Sequence, residues 1–414
     1  MDAVSKLFLD ILKAALNNEP ARPDRKISPE EWQLLFRMAE IHHILPLFYQ
    51  AVYALPSLAA EKSLCGAVRQ QVKHQVIRQT LQTSEFLELN QRLLEAGIRP
   101  LVVKGIICRN LYPQPDHRPS GDEDLLIPQT HLRACRRVLA NLGMEAEAPA
   151  DTLDTAYEIP YRKEGSPLYI ELHKSLFPPE SEAYGDLNRF FTGVFDRAVT
   201  VEIQGNTVYS LSHTDHLFYL ICHAFKHFLH SGFGIRQVCD IILYANRYGT
   251  QVDWLRVLKN CKAIRAEKFA AALFRIGRDY LVFDPDRAAY PKAWRDIRVD
   301  ALPMLEDLLR SGLYGYATMS RRHSSSITLE AVAAQKQGRG AKNAVLLSAF
   351  PPAHKLEGRY PYLKKRPYLV PVAWGSRLWE YARETGHRRD SSASEALKIG
   401  NDRIELMKLY GILK

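Results

Sequence analysis

The residues in this chain best suited to chemistry are three acids, a lysine and a glycine. The densest stretch is Arg118-Pro119-Ser120-Gly121-Asp122-Glu123-Asp124-Leu125-Leu126-Ile127, a D-x-D pair entering an apolar run that reads as a β-strand. Alternate residues of a strand project to the same side, so Asp122 and Asp124 are expected to share one cleft while Glu123 faces away. Two carboxylates held that close repel unless a cation sits between them, and a divalent metal is the simplest such cation. Upstream, the lysine and glycine of Lys104-Gly105 suggest what the metal would carry, namely phosphates.

A third acid follows. Residues 157–163, a turn at Glu164-Gly165-Ser166 and residues 167–173 read as a hairpin. In its second strand Ile170 and Leu172 alternate with Glu171 and His173, which puts the last two on one polar face. Between the D-x-D and the hairpin, Leu132, Cys135, Val138, Leu139 and Leu142 recur at helical spacing, and Gly143 ends the helix. The expected order is a strand with the D-x-D, a helix, then a hairpin carrying one more acid. Asp122 and Asp124 alone could equally be strand-start and turn residues beside Pro119 and Gly121. Their order relative to Lys104-Gly105 and Glu171 favours a site.

These motifs resemble the nucleotidyltransferase superfamily that includes DNA polymerase β, the antibiotic nucleotidyltransferases and the abortive-infection-type toxins. The resemblance is strongest to a bacterial branch with K-G, a loop, R-x-x-x-D-x-D and a later strand bearing D/E-x-H. It covers residues 85–260, with looser similarity at Arg359-Tyr360-Pro361 and from Glu395 to Leu413. It implies a polymerase β-like core, an NTP substrate and two Mg²⁺ ions, replaceable by Mn²⁺, held by Asp122, Asp124 and Glu171. Lys104, Gly105, Arg118 and Ser120 match the triphosphate-binding positions, and Glu171 the second-metal ligand or general base. The chain departs from many members at Gly105-Ile106, where no hydroxyl follows the glycine, and in having Glu rather than Asp as third acid.

Beyond the core, residues 217–229 read as an apolar helix with His223, Lys226 and His227, followed by His230. The H-x-x-x-H pattern lacks the glutamate of a zincin, so contact with phosphate or acceptor is the better expectation, with Lys226 foremost. His173 either supports Glu171 or acts directly. Arg236 and Asp240, four apart, read as an i,i+4 pair that orients its helix or lines the cleft.

The 414 residues carry a net charge of +10 and are 46% hydrophobic, which argues for a sizeable folded core. Six cysteines without C-x-x-C spacing read as free thiols in a reducing compartment. Residues 1–16 read as an amphipathic segment rather than a signal peptide, and no run is long enough to span a membrane; a cytoplasmic protein is expected. Residues 341–414 hold 14 Lys/Arg against 7 Asp/Glu. Their segment 359–379 interleaves cations with aromatics, which suits a nucleic-acid strand, an anionic membrane surface or a plain solvated loop.

The expected fold class is α+β, a small mixed sheet inside a largely helical protein. Residues 1–84 read as a helical region, 85–211 as the catalytic core, 212–319 as a second helical part, and 320–342 as a linker. Residues 343–414 read as a basic region with a polar break at 386–394 and a terminal docking helix. The expected activity is metal-dependent transfer of an NMP to a hydroxyl of RNA, a small molecule or a protein. A degenerate nucleotide- or nucleic-acid-binding module and a membrane-associated biosynthetic accessory factor remain as other classes.

Overall fold

The computed structural model describes residues 1–149, 152–230, 232–311, 319–338, 350–386 and 393–414. They form an α+β protein with one seven-stranded mixed sheet among many helices. Two compact units emerge, one of residues 1–224 and 234–310, the other of residues 225–233 and 311–414.

The first unit opens with α1 (Ala3–Leu16), α2 (Pro29–Ile41), α3 (Leu45–Val52) and a single turn, α4 (Pro56–Ala59). Ser28 and Glu31 bond each other's backbone amides at the start of α2, and Pro29 takes the first helical position, so the helix begins where the sequence says it should. Its Phe36 meets Phe48 of α3 edge-on. Next comes α5 (Lys62–Glu95), 34 residues long and ended by Gly97 at φ +74°. Gln79, Gln82, Thr83 and Asn90 are buried on the same helix as Phe86, Leu89 and Leu93. Such polar burial needs partners, and most of these partners lie in the candidate site.

The strands are β1 (Leu101–Val102), β2 (Glu123–Leu126), β3 (Glu145–Ala146), β4 (Glu158–Arg162), β5 (Tyr169–His173), β6 (Val199–Ile203) and β7 (Asn206–Ser210), in the order β3-β4-β5-β2-β1-β7-β6. β2 lies at the centre, parallel to β5 and antiparallel to β1. Leu125, Ile170 and Leu172 are wholly buried there, the apolar alternation that fixes the register. Between the strands stand α6 (Gly105–Arg109) and α7 (Leu132–Asn141), the latter ended at Gly143 as its spacing predicts. The β4–β5 hairpin turns at Gly165, φ +75°.

After the sheet follow α8 (His213–Leu229), α9 (Ile235–Tyr248), α10 (Trp254–Ala263), α11 (Glu267–Tyr280), α12 (Lys292–Arg295) and α13 (Leu302–Ser311). Trp254, Phe274, Tyr290 and Trp294 interlock α10 to α12, with ring centroids 5.0 Å apart for Phe274 and Tyr290 and 5.9 Å for Trp254 and Trp294.

The second unit corrects one expectation. Residues 320–336, read as linker, lie on a helix, α14 (Met319–Lys336). Ser324 and Thr328 are buried with their hydroxyls satisfied: Ser324 donates to the Arg321 carbonyl of its own helix, and Thr328 to the Ser325 carbonyl and, at 2.6 Å, to the Leu229 carbonyl of α8. Ile327, Ala331, Val332 and Ala334 then supply an apolar face that the Arg-Ser-rich composition hides. The helix Ala393–Leu409 packs on it at Gly400, where a Cβ would lie 2.9 Å from Ile327 Cδ1. Residues 339–342 of the expected linker and 387–392 of the polar break lie outside the described residues. In the basic segment Leu356, Leu363 and Ala373 form a small core, while Tyr368, Val372 and Trp379 are exposed. Among the described residues no helix is long and apolar enough to cross a membrane. All six cysteines are free thiols, five of them buried.

Candidate active site

Parallel pairing of β2 with β5 sets Asp124 directly beside Glu171 and Leu126 beside His173. Paired residues of neighbouring strands face the same way, so Asp124, Glu171 and His173 share one face of the sheet. His173 Nε2 stands 3.1 Å from Asp124 Oδ1 and 3.6 Å from Glu171 Oε2. Among the described residues these three form the one grouping of three or more histidine, cysteine or acidic side chains able to hold a metal ion, with ligand atoms all within 4.8 Å of one another. Asp122 stands just ahead of β2, half-buried, and its carboxylate meets Lys104 Nζ at 3.4 Å. The same ammonium lies 2.9 Å from Asp124 Oδ2, a buried oxygen that lacks a directional hydrogen bond. Lys104 thus bridges the D-x-D pair. Buried carboxylate oxygens, an imidazole and an acid oxygen without a hydrogen bond fit a divalent cation.

The charges respond to one another. Burial would raise the Asp124 carboxyl, but Lys104 and His173 together hold it well below the usual carboxylate range. Glu171 goes the other way: burial raises it, and the neighbouring Asp124 and Asp122 charges add to that against the pull of His173. His173 is opposed by burial, yet its bonds to Asp124 and Glu171 push it up to about 9. Burial likewise works against the Lys104 charge, and the two aspartates overcome it, raising the ammonium well above its ordinary value.

Glu123, facing away from the pair, is fully buried and organises the loop that carries Lys104. Its Oε2 accepts from the Ile106 amide at 2.7 Å at the start of α6, and its Oε1 pairs with Arg109 Nη1 at 2.5 Å. Gly105 has φ +43°, and a Cβ there would lie 1.9 Å from Glu123 Oε2. Only glycine permits both the turn and the approach of this carboxylate. Arg109 also donates to Ser120 Oγ at 2.5 Å, and the Ser120 amide donates to Gln79 Oε1 at 2.7 Å. The polar stripe of α5 thereby holds the loop ahead of the D-x-D. Sequence reasoning missed Glu123, Arg109 and Gln79. The one available signal was a charged residue at the inward position of an otherwise apolar strand.

Arg118 and Asp240 form a buried bidentate pair, Nε to Oδ1 at 3.0 Å and Nη2 to Oδ2 at 2.5 Å, and Tyr112 adds a hydroxyl to Oδ1 at 2.7 Å. The expected Arg236–Asp240 pair therefore does not form, because Arg118 holds that carboxylate with better geometry. Arg236 instead donates to the Pro119 carbonyl, and its buried Nε has no partner. Burial and the nearby Arg118 lower its guanidinium to about 10.

Lys104, Gly105, Arg118, Ser120 and Asp122 line one recess, joined by His223, Arg236 and Asp240. Its volume is about 50 Å³, room for one or two waters. His223 lies on the first unit's part of α8, whereas Lys226, His227 and His230 belong to the second unit.

A family model described as uncharacterised nucleotidyltransferase matches residues 28–281, a span that contains the acid cluster, the Lys104 turn and the Arg118–Asp240 pair. No curated protein and no solved structure matches the chain. With well over half its length matched, the chain belongs to this nucleotidyltransferase family.

Proposed function

We propose that the chain transfers a nucleoside monophosphate from an NTP to a hydroxyl acceptor and releases pyrophosphate. One observation carries the reading. Asp124 and Glu171 stand side by side on adjacent parallel strands, with Asp122 and Lys104 gathered at the same acids. Asp122, Asp124 and Glu171 are the residues assigned to Mg²⁺, with Mn²⁺ as substitute, and bound ions would neutralise triphosphate charge and activate the acceptor hydroxyl.

The remaining work falls to side chains. Lys104 exchanges its carboxylate partners for β- and γ-phosphate oxygens, and Arg236 adds a guanidinium with a donor to spare. Arg118, neutralised by Asp240, fixes the loop ahead of the D-x-D rather than offering a free fork. Glu171, whose carboxyl is raised by burial and like charge, takes the acceptor's hydroxyl proton. The acceptor oxygen then bonds to the α-phosphorus as the bond to the bridging oxygen of pyrophosphate breaks. The recess that Lys104 and Arg236 line beside Asp122 is where the phosphates are expected to lie. RNA is the acceptor class favoured by the basic segment 359–379, where Lys364, Lys365, Arg366 and Tyr368 are exposed.

The test incubates the purified chain with each of four α-labelled NTPs, Mg²⁺ or Mn²⁺, and fractionated cell extract. Label should reach an acceptor with stoichiometric pyrophosphate release. Asp124→Asn should lower transfer on the order of a thousandfold, with Asp122→Asn also impaired. Metal-dependent NTP binding without transfer in every fraction would favour the non-catalytic module, and no NTP binding would sink the reading.

A further inference from the structure

Three carboxylates around a metal suit Mg²⁺, an ion of all-oxygen sites. For the ion nearest the strands the geometry points to another set: Asp124, Glu171 and His173, with the imidazole Nε2 a direct ligand and a first-row transition ion such as Mn²⁺ favoured over Mg²⁺. This assignment rests on the metal-dependent reading above and refines it.

The first support is spacing. Ligand atoms about 2.1 to 2.2 Å from one ion and at right angles lie roughly 3 Å apart. His173 Nε2 is 3.1 Å from Asp124 Oδ1, its hydrogen-bond partner, and 3.6 Å from Glu171 Oε2, so an ion entering there takes the place of the proton between them with little movement of the side chains. Asp122 falls outside this grouping. The second support is orientation. On the side of β5 away from β2, Glu158 of β4 is the register partner of His173, and its Oε2 stands 3.8 Å from Nδ1. A carboxylate behind the other ring nitrogen is the usual device that fixes the tautomer of a metal-bound histidine. Nδ1 is buried without a hydrogen-bond partner, so a small approach by Glu158 completes the arrangement. The third support is donor chemistry. An imidazole nitrogen adds more affinity for transition ions than for Mg²⁺, which prefers oxygen.

Metal-stripped full-length protein titrated with MnCl₂ alone tests this. Free Mn²⁺ is counted by electron paramagnetic resonance, and the bound ion is read by electron spin-echo modulation. The native chain should bind one Mn²⁺ tightly, show nitrogen modulation from an imidazole, and release the ion only to Mg²⁺ in at least about tenfold excess. His173→Gln should abolish the nitrogen signal and bring the two ions to within about threefold in affinity. Glu158→Gln should keep the nitrogen signal while weakening Mn²⁺ binding about 10- to 100-fold. Bound Mn²⁺ without nitrogen modulation in the native chain would overturn the His173 assignment and leave the nucleotidyltransferase reading intact. No Mn²⁺ or Mg²⁺ binding, even with a non-hydrolysable ATP analogue, would overturn both. The native spectrum decides the question whether or not either variant folds.

Discussion

Glu123 and Gly105 bind the two sides of β2 into one device. Glu123 keeps the turn before α6 in place from beneath, and Asp122 and Asp124 engage Lys104 of that same turn from above. Gly105→Ala would set a methyl 1.9 Å from Glu123 Oε2 at a φ of +43°. A loss of about 2 to 4 kcal/mol in urea unfolding is expected, since backbone strain and a displaced buried charge combine. A loss under about 1 kcal/mol would show that the turn yields without displacing Glu123. Arg236 behaves oppositely, as a half-buried cation whose buried Nε is an unsatisfied donor, with Arg118 nearby. Arg236→Ala should leave stability unchanged or raise it, while KM for NTP rises about tenfold with kcat less affected. A fall in stability with KM unmoved would assign the residue to the fold instead.

At the scale of elements, local pattern and long-range pairing divide the legibility of the chain. The capping box of α2, the glycine stops at Gly97 and Gly143 and the turn at Gly165 are local events, and the sequence announces each. The alternation around Asp124 and Glu171 put both on polar faces of strands, but only the β2–β5 register makes them neighbours. Partner choice was the illegible part. Arg236 and Asp240 share a helix, yet Asp240 belongs to Arg118 from a distant loop. Composition misled at α14, where Ser324 and Thr328 satisfy their hydroxyls on backbone carbonyls of α14 and α8 and leave an apolar face. That face depends on the close approach at Gly400. Gly400→Ala costs little, because Ile327 Cδ1 can rotate away. Gly400→Leu should cost roughly 1 to 3 kcal/mol in the unfolding of the second unit. Unchanged unfolding would show that the two helices do not rely on that contact.

At the scale of the molecule, buried neutral histidines set the acid limit of stability. Burial lowers His42 to about 4 and, with the adjacent His213, His216 to about 3. The unfolded chain takes up these protons near the ordinary value of about 6.5, the folded chain only far below it. Between those limits the unfolded state binds more protons, so stability falls as pH falls from 6.5. His42 alone contributes on the order of 3 kcal/mol across that window. Denaturation midpoints from pH 7.5 to 4.5 should decline steadily below 6.5. A flat profile would mean that these rings can gain protons without leaving the core.

Asp124 and His173 are 49 residues apart in the chain and meet through a parallel pairing. Parallel strands cannot be joined by a tight turn, and loop-closure entropy must be overcome before their contacts form. The acid cluster therefore cannot form from local structure alone. A nascent chain that has not yet made β5 holds the aspartate pair and its lysine without Glu171 and His173 beside them. The acid cluster is assembled only when β5 docks on β2.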